Sequence, residues 1–352
     1  MLHILPVYLY FLLCSSFVVG QFDSNFTLQN VWGRLPSETS RSLIQCVSSN
    51  GQPGKIKFGR TIDVGEGLKL PKLTQQFLQG APVHARILFM PSGDALSRFG
   101  AFHCEVTNGG VTTKITTLKL PSESIAEFEP EEPYIVANQG DDVYFAMKKV
   151  VALNLPLRWR HDGGDIIEKW NDQLNVSIPS VTITDAGIYE CYYEGRRNEH
   201  VHGILRLIVR GCPSGKYGQL CDQDCPPCYN GGICHDRWGV CVCPPGFTGQ
   251  HCEKACGGNL FGAECSKICT SGQHVDRGCA IHLFCKPDPY GCSCAPGYKG
   301  PICATECKPG WYGADCKQPC HCANGSKACN RITGQCNGGC SHGWIGESCQ
   351  IR

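Results

Sequence analysis

The residues with chemistry to offer are the cysteines. There are 28 in 352 positions, and 24 of them fall between Cys212 and Cys349. Their spacing is a pattern. One run reads C-x8-C-x3-C-x2-C-x5-C-x6-C-x-C-x8-C through Cys212, Cys221, Cys225, Cys228, Cys234, Cys241, Cys243 and Cys252. A second reads C-x8-C-x3-C-x9-C-x5-C-x6-C-x-C-x8-C through Cys256, Cys265, Cys269, Cys279, Cys285, Cys292, Cys294 and Cys303. A third reads C-x8-C-x3-C-x-C-x6-C-x6-C-x3-C-x8-C through Cys307, Cys316, Cys320, Cys322, Cys329, Cys336, Cys340 and Cys349. The same opening and closing spacings recur three times, so this half of the chain is a threefold repeat. Thiols at this density do not persist in a reducing cytosol, and the chemistry expected is disulfide formation in an oxidising compartment. Cys225-x-x-Cys228 has zinc-like or redox-like spacing, but in this setting reads as two disulfide halves.

Other chemistry is thinly represented. No nucleophile elbow, H-E-x-x-H, Walker or dinucleotide fingerprint occurs, and the histidines lack ligand spacing. His200 and His202 share one face of a strand and read as exposed edge residues. The segments before each repeat lack the clustered acidic residues of a calcium site. The chain is therefore read as non-enzymatic, with no metal and no cofactor. Charge is balanced, 32 Lys+Arg against 31 Asp+Glu, which argues against nucleic acid as a partner.

The amino terminus carries an apolar run over residues 4–19, with Val18 and Gly20 at small-residue cleavage positions. Residues 1–20, with Cys14, read as a signal peptide. No later apolar run is long enough to span a bilayer. The expected location is secreted or extracellular, or the cell surface if the chain is the front of a longer receptor. Asn25, Asn175 and Asn324 each begin an N-x-[ST] sequon and are expected glycosylation sites.

The elements that must position the cysteines divide at Cys212. Before it, short β-rich runs alternate with turn signals, which suits two immunoglobulin-like sandwiches, residues 21–120 and 121–211. In the first, Cys46 and Cys104 suit a bridge between strands B and F. Phe58 takes the usual core tryptophan position, and Phe102 stands where a corner tyrosine is usual. In the second, Asp185-Ala-Gly-Ile-Tyr-Glu-Cys191 is the strand F pattern, with Trp159 as the buried strand C residue. Its strand B holds no cysteine, so Cys191 is odd. It reads as a buried thiol or, alternatively, as half of an intermolecular disulfide. Alternation puts Val143, Phe145 and Met147 on one face, with Phe145 opposite Cys191.

The repeats then run 212–253, 254–304 and 305–352, each closing on a turn such as Pro245-Gly-Phe-Thr-Gly249. They resemble EGF-like modules. That resemblance implies that the last six cysteines of each pair first with third, second with fourth and fifth with sixth. In the first repeat this means Cys225–Cys234, Cys228–Cys241 and Cys243–Cys252, while Cys212 and Cys221 close their own loop. A module this small cannot bury a sufficient core, and each closed loop removes about 2–3 kcal/mol of unfolded-chain entropy. Linkers of three residues suggest a compact or rod-like stack. The fold class is thus all-β with disulfide-rich small modules: two sandwiches, then three eight-cysteine modules.

This order, together with Phe284-Cys-Lys-Pro-Asp-Pro-Tyr-Gly-Cys-Ser-Cys294, resembles the Tie family of receptor tyrosine kinases, the angiopoietin receptors. Gly140-Asp-Asp-Val143, Lys148-Lys-Val150 and Leu207-Ile-Val-Arg210 resemble the family's second sandwich. Cys336-Asn-Gly-Gly-Cys340 departs from the family's usual C-x-C, and Cys191 stands where the family typically lacks cysteine. The resemblance implies a protein ligand, the fibrinogen-like domain of an angiopoietin. It places the contact near the C–C′ region of the second sandwich: Asp165, Ile166, Ile167, Glu168, Lys169 and Trp170. Equally open is that Ile167 and Trp170 are core and Ile166 fills a strand. A different function, a secreted multi-EGF adhesion or scavenger protein, uses repeated modules for avidity.

Overall fold

Strands dominate because β-branched and aromatic residues alternate with polar ones. The strand Val143–Lys149 buries Val143, Phe145 and Met147 and turns Tyr144 outward. The computed structural model describes residues 26–34, 42–48, 55–60, 73–76, 84–89, 98–108, 111–269, 278–323, 325 and 329–352. The expected signal peptide over residues 1–20, with Asn25 and Asn324, lies outside these residues.

The first sandwich contains β1 (Phe26–Val31), β2 (Ser42–Ser48), β3 (Lys55–Arg60), β4 (Leu73–Gln76), β5 (His84–Phe89), β6 (Gly100–Asn108) and β7 (Val111–Lys119). One sheet has the order β1-β2-β5-β4 and the other β3-β6-β7. The Cys46–Cys104 bond joins them, with Cα atoms 6.5 Å apart. Phe26, Leu28, Ile44, Phe89 and Phe102 fill the space between, and Phe58 packs at the margin. Lys119 is also buried here. Its ammonium donates to the carbonyls of Val31 at 2.9 Å and Trp32 at 2.8 Å, while burial holds its pKa well below the usual value.

The second sandwich contains β8 (Phe128–Pro130), β9 (Tyr134–Asn138), β10 (Val143–Lys149), β11 (Leu157–His161), β12 (Asn175–Ile178), β13 (Gly187–Tyr193) and β14 (Gly203–Arg210). The sheet β12-β10-β8 faces β11-β13-β14-β9, with β9 parallel to β14. Trp159 lies directly opposite Cys191 in register and is fully buried. Phe145 stacks on Trp159, with ring centroids 6.4 Å apart, where a disulfide would otherwise bridge the sheets. Cys191 is a free, buried thiol, and desolvation raises its pKa, so it packs as a small apolar group. Tyr189 donates its hydroxyl to the Asp185 carbonyl at 2.8 Å, closing the corner. Gly187, at φ +153°, is required there: a Cβ would meet His161 Nε2 at 2.3 Å.

Each EGF-like module is a ladder of small hairpins held by four disulfides. The first pairs Cys212–Cys221, Cys225–Cys234, Cys228–Cys241 and Cys243–Cys252. The third pairs Cys307–Cys316, Cys320–Cys329, Cys322–Cys336 and Cys340–Cys349. The second corrects the EGF order. It pairs Cys269 with Cys279 and Cys285 with Cys292, not Cys269 with Cys285 and Cys279 with Cys292; Cys256–Cys265 and Cys294–Cys303 complete it. The reason is local. His282–Lys286 and Gly291–Cys294 form an antiparallel hairpin that sets Cys285 directly opposite Cys292, Cα atoms 4.0 Å apart. A cross-strand bond then takes both sulfurs and leaves Cys269 for Cys279.

The modules fold back onto the sandwiches. The second-module hairpin adds to the edge of β1, with Leu28, Gln29, Asn30 and Val31 opposite Cys285, Phe284, Leu283 and His282. Arg206 of β14 donates to Asp288 at 2.7 Å. The third module returns to the first through Tyr312, which donates to Asn230 Oδ1 at 2.7 Å. Tyr134 joins the sandwiches by accepting from the Leu118 amide at 2.7 Å.

The junction between sandwiches also corrects the reading of His200 and His202 as exposed. Both are buried, with His202 fully enclosed against Phe99 of the first sandwich, rings 4.7 Å apart. Its Nε2 lies 3.3 Å from buried Glu190, which also accepts two bonds from Arg197 at 2.8 and 3.0 Å. Burial alone would raise the Glu190 pKa, but His202 and Arg197 hold it at about 2. Burial lowers the pKa of His202, and that of His282 to about 4.

These shifts share a sign. An unfolded chain protonates both histidines below 6.5 and Glu190 below 4.5, whereas the folded chain resists each proton. Stability is therefore present at neutral pH and lost as pH falls from 6.5 toward 4. The His282 shift alone corresponds to about 3 kcal/mol. Burial raises the Asp315 pKa to about 6, which opposes this loss in the same window, so the test is a difference: between about pH 7.5 and about pH 4.5 the thermal midpoint of His282→Gln should fall less than that of the parent chain. Parallel profiles in the parent chain and in His282→Gln would contradict the assignment.

Candidate ligand-binding face of the second sandwich

Strand β11 ends in a tight reversal, with Asp162 at φ 47° and Gly163 at φ 69°. The chain then runs back along β11: Ile166 bridges Arg160, and the Ile167 amide donates to the Trp159 carbonyl at 2.9 Å. A single 3-10 turn, Glu168–Trp170, follows.

This path sorts the six residues expected at the site. Asp165, Glu168 and Lys169 are exposed, and Ile166 and Ile167 are half-buried. Ile167 packs against the core. Trp170 is only 5% exposed and does not offer a surface anchor. Its ring contacts Trp159, Tyr189 and Phe145 at centroid distances of 5.7, 5.8 and 6.0 Å. The turn must bury one large ring to dock on the sandwich, and the backbone direction after Ile167 gives that place to Trp170.

Ile166 instead borders a shallow cavity of about 290 Å³ with Arg158, Arg160, Tyr192, Glu194 and Arg197. Arg160 donates through Nε to the Tyr192 hydroxyl at 2.7 Å and also to the Gly164 carbonyl. Arg158 pairs with Glu194 at 3.2 Å and lies 3.8 Å from Asp172. The face thus presents one aliphatic side chain among three guanidinium groups whose planes are held by neighbours. Such a surface suits a protein partner offering carboxylates and a small apolar knob.

The arginines are absent from the residues expected from sequence. The signal was present: Arg158 and Arg160 flank Trp159, so burial of the tryptophan sends both to the opposite face. Tyr192 follows from the same alternation on β13, but Glu194 and Arg197 come from a loop that no periodicity reaches. Of the glycosylation candidates, Asn175 is exposed at the start of β12.

No family model matches the chain. It is 35% identical over 288 residues to Angiopoietin-1 receptor of Danio rerio, a match covering 76% of this chain and 24% of the relative. It is 30% identical over 165 residues to EGF-like and EMI domain-containing protein 1 of Mus musculus, covering 43% of this chain and 26% of that one. These matches thus span about a quarter of each relative's length. Among solved structures, the N-terminal four Ig domains of Dscam1 isoform 1.9 share 15% identity, over 44% of this chain and 37% of that one, at a TM-score of 0.18. That likeness is too slight to bear on the fold.

Proposed function

We propose that this chain, which belongs to the Tie family and corresponds to an amino-terminal part of its extracellular receptor region, captures a protein ligand of the angiopoietin type on its second sandwich. The observation that carries the reading is the 35% identity to an Angiopoietin-1 receptor across 76% of the chain. The face around Ile166 supplies a surface of the right chemistry. Ile166 is the apolar anchor, Arg160 offers its remaining N–H groups to a carboxylate, and Asp165 and Glu168 form a charged rim, whereas Lys169 borders the groove on the β12 side. The remaining modules hold that face in place, since the second EGF-like module pairs with β1 and Arg206 ties it to β14.

The test is binding of angiopoietin fibrinogen-like domains to the purified full chain by surface plasmon resonance. Ile166→Asp should weaken binding at least about tenfold and leave the thermal midpoint nearly unchanged, because a half-buried rim position carries affinity without carrying the core. Unchanged affinity in this variant and in Glu168→Lys would remove the site from this face. Similarity to a multi-EGF protein supports a second reading, in which the repeated modules bind; binding indifferent to both substitutions would favour it.

A further inference from the structure

The outward face of the sheet β12-β10-β8 carries an unusual residue. Tyr144 lies in β10, the middle strand, yet it is 73% exposed. No hydrogen bond or ring contact among the described residues accounts for so large an open aromatic group there. Its neighbours supply the explanation. On the adjacent strand β12, Asn175-Val176-Ser177 is a glycosylation sequon. Val176 points into the core, so Asn175 and Ser177 both point out, on the same face as Tyr144.

Register makes the relation specific. Tyr144 stands opposite Ser177, and Ala146 opposite Asn175. Asn175 and Tyr144 are therefore diagonal neighbours, a separation an aromatic side chain spans. Ala146, with only a methyl group, leaves space beside Asn175. The result is an open groove of about 550 Å³ bordered by Tyr144, Ala146, Lys169, Gln173, Asn175 and Ser177.

We infer that Asn175 carries an N-linked glycan whose first sugar lies in this groove against the Tyr144 ring. The donor is a lipid-linked oligosaccharide pyrophosphate. The Asn175 amide nitrogen bonds to the anomeric carbon as the carbon–oxygen bond to the pyrophosphate breaks. The lipid pyrophosphate leaves with the electron pair, and the amide nitrogen releases one proton. The apolar face of the pyranose then covers the apolar face of the tyrosine while the phenol tip stays wet. Because β12 is the outermost described strand of its sheet, the glycan also shields a strand edge from pairing with another chain. The modified sheet is the one opposite β11 and β13, so the glycan and the Ile166 cavity occupy different faces of the sandwich.

The experiment uses the full chain secreted from cells that perform N-glycosylation. Glycosidase release in heavy-oxygen water should label Asn175, and Asn175→Gln and Ser177→Ala should each lower the intact mass by one glycan. Ser177→Ala leaves Asn175 in place, which separates loss of sugar from loss of the asparagine. Tyr144→Ala should keep the glycan but lower the thermal midpoint by roughly 2–4 °C in the glycosylated chain. The same substitution made in Ser177→Ala should shift the midpoint little. Recovery of the Asn175 peptide unmodified would overturn the inference. An equal Tyr144→Ala shift with and without the sequon would overturn the stacking.

Discussion

A chain cut after Gly211, keeping both sandwiches and removing all three EGF-like modules, should lose the first sandwich. The loss should appear as a fall of about ten degrees or more in its thermal midpoint, or as aggregation. In the whole chain the edge of β1 is occupied by His282–Lys286. The Trp32 amide donates to the Ile281 carbonyl at 3.0 Å, and Gln29 bonds buried His282 at 2.8 Å. Ile281 is 1% exposed and packs with Val31, while Leu283 and the Cys285–Cys292 bond close one side of the first sandwich's core. Removing Ile281 and Leu283 uncovers Val31, Trp32 and Leu43 and one side of the first sandwich's core, and withdraws on the order of 3–5 kcal/mol of apolar burial. It also leaves a row of unpaired amides and carbonyls on β1, an aggregation template. Differential scanning calorimetry with size exclusion checks this, and hydrogen exchange at residues 28–31 localises it. A truncated pair as stable and monomeric as the full chain would show the docking to be dispensable. Extending the fragment through residue 304 should restore stability, because it restores the hairpin.

Trp170→Ala should cost the second sandwich about 3–5 kcal/mol, the loss expected for removing a buried tryptophan without refilling its space. Three aromatic rings surround it, and no disulfide holds these sheets together, so the aromatic cluster carries the role that a bridge serves in the first sandwich. Denaturant titration followed by fluorescence should show an earlier midpoint. Binding should fall in proportion to the unfolded fraction and recover under stabilising conditions. Ile166→Asp, on the rim of the same turn, should behave oppositely, losing affinity with little loss of stability. A Trp170→Ala chain of full stability and impaired binding would return the tryptophan to the surface site.

Much of this is legible in the residues alone. Alternation in β10 and β11 identifies which residues face inward, and the D-x-G-x-Y-x-C run identifies a corner tyrosine that bonds to Asp185. These features depend on neighbours a few positions away. Trp170 is ambiguous for a related reason. The segment from Asp165 to Trp170, holding two isoleucines and a tryptophan, has no period, so only the bridge from Ile166 to Arg160 decides which side chain turns inward. The cavity arginines divide in the same way: Arg160 follows from strand alternation, whereas Arg197 arrives by a loop and is held by Glu190.

By itself, then, the sequence determined the modules: two sandwiches, three cysteine-rich repeats, an oxidising compartment, and a resemblance strong enough to name a receptor family. Residue type and short spacing suffice for these, since a disulfide loop or a strand face is built from positions near one another in the chain. Only the tertiary structure decided how the modules meet. It placed the second module's hairpin on β1, exchanged that module's central disulfide partners, and enclosed His202 and His282. It also buried Trp170 in the core and left Ile166 half-buried beside the arginine-lined cavity. Each of these depends on contacts that burial and edge pairing favour, and their free energy is set by how surfaces meet in space rather than by local spacing.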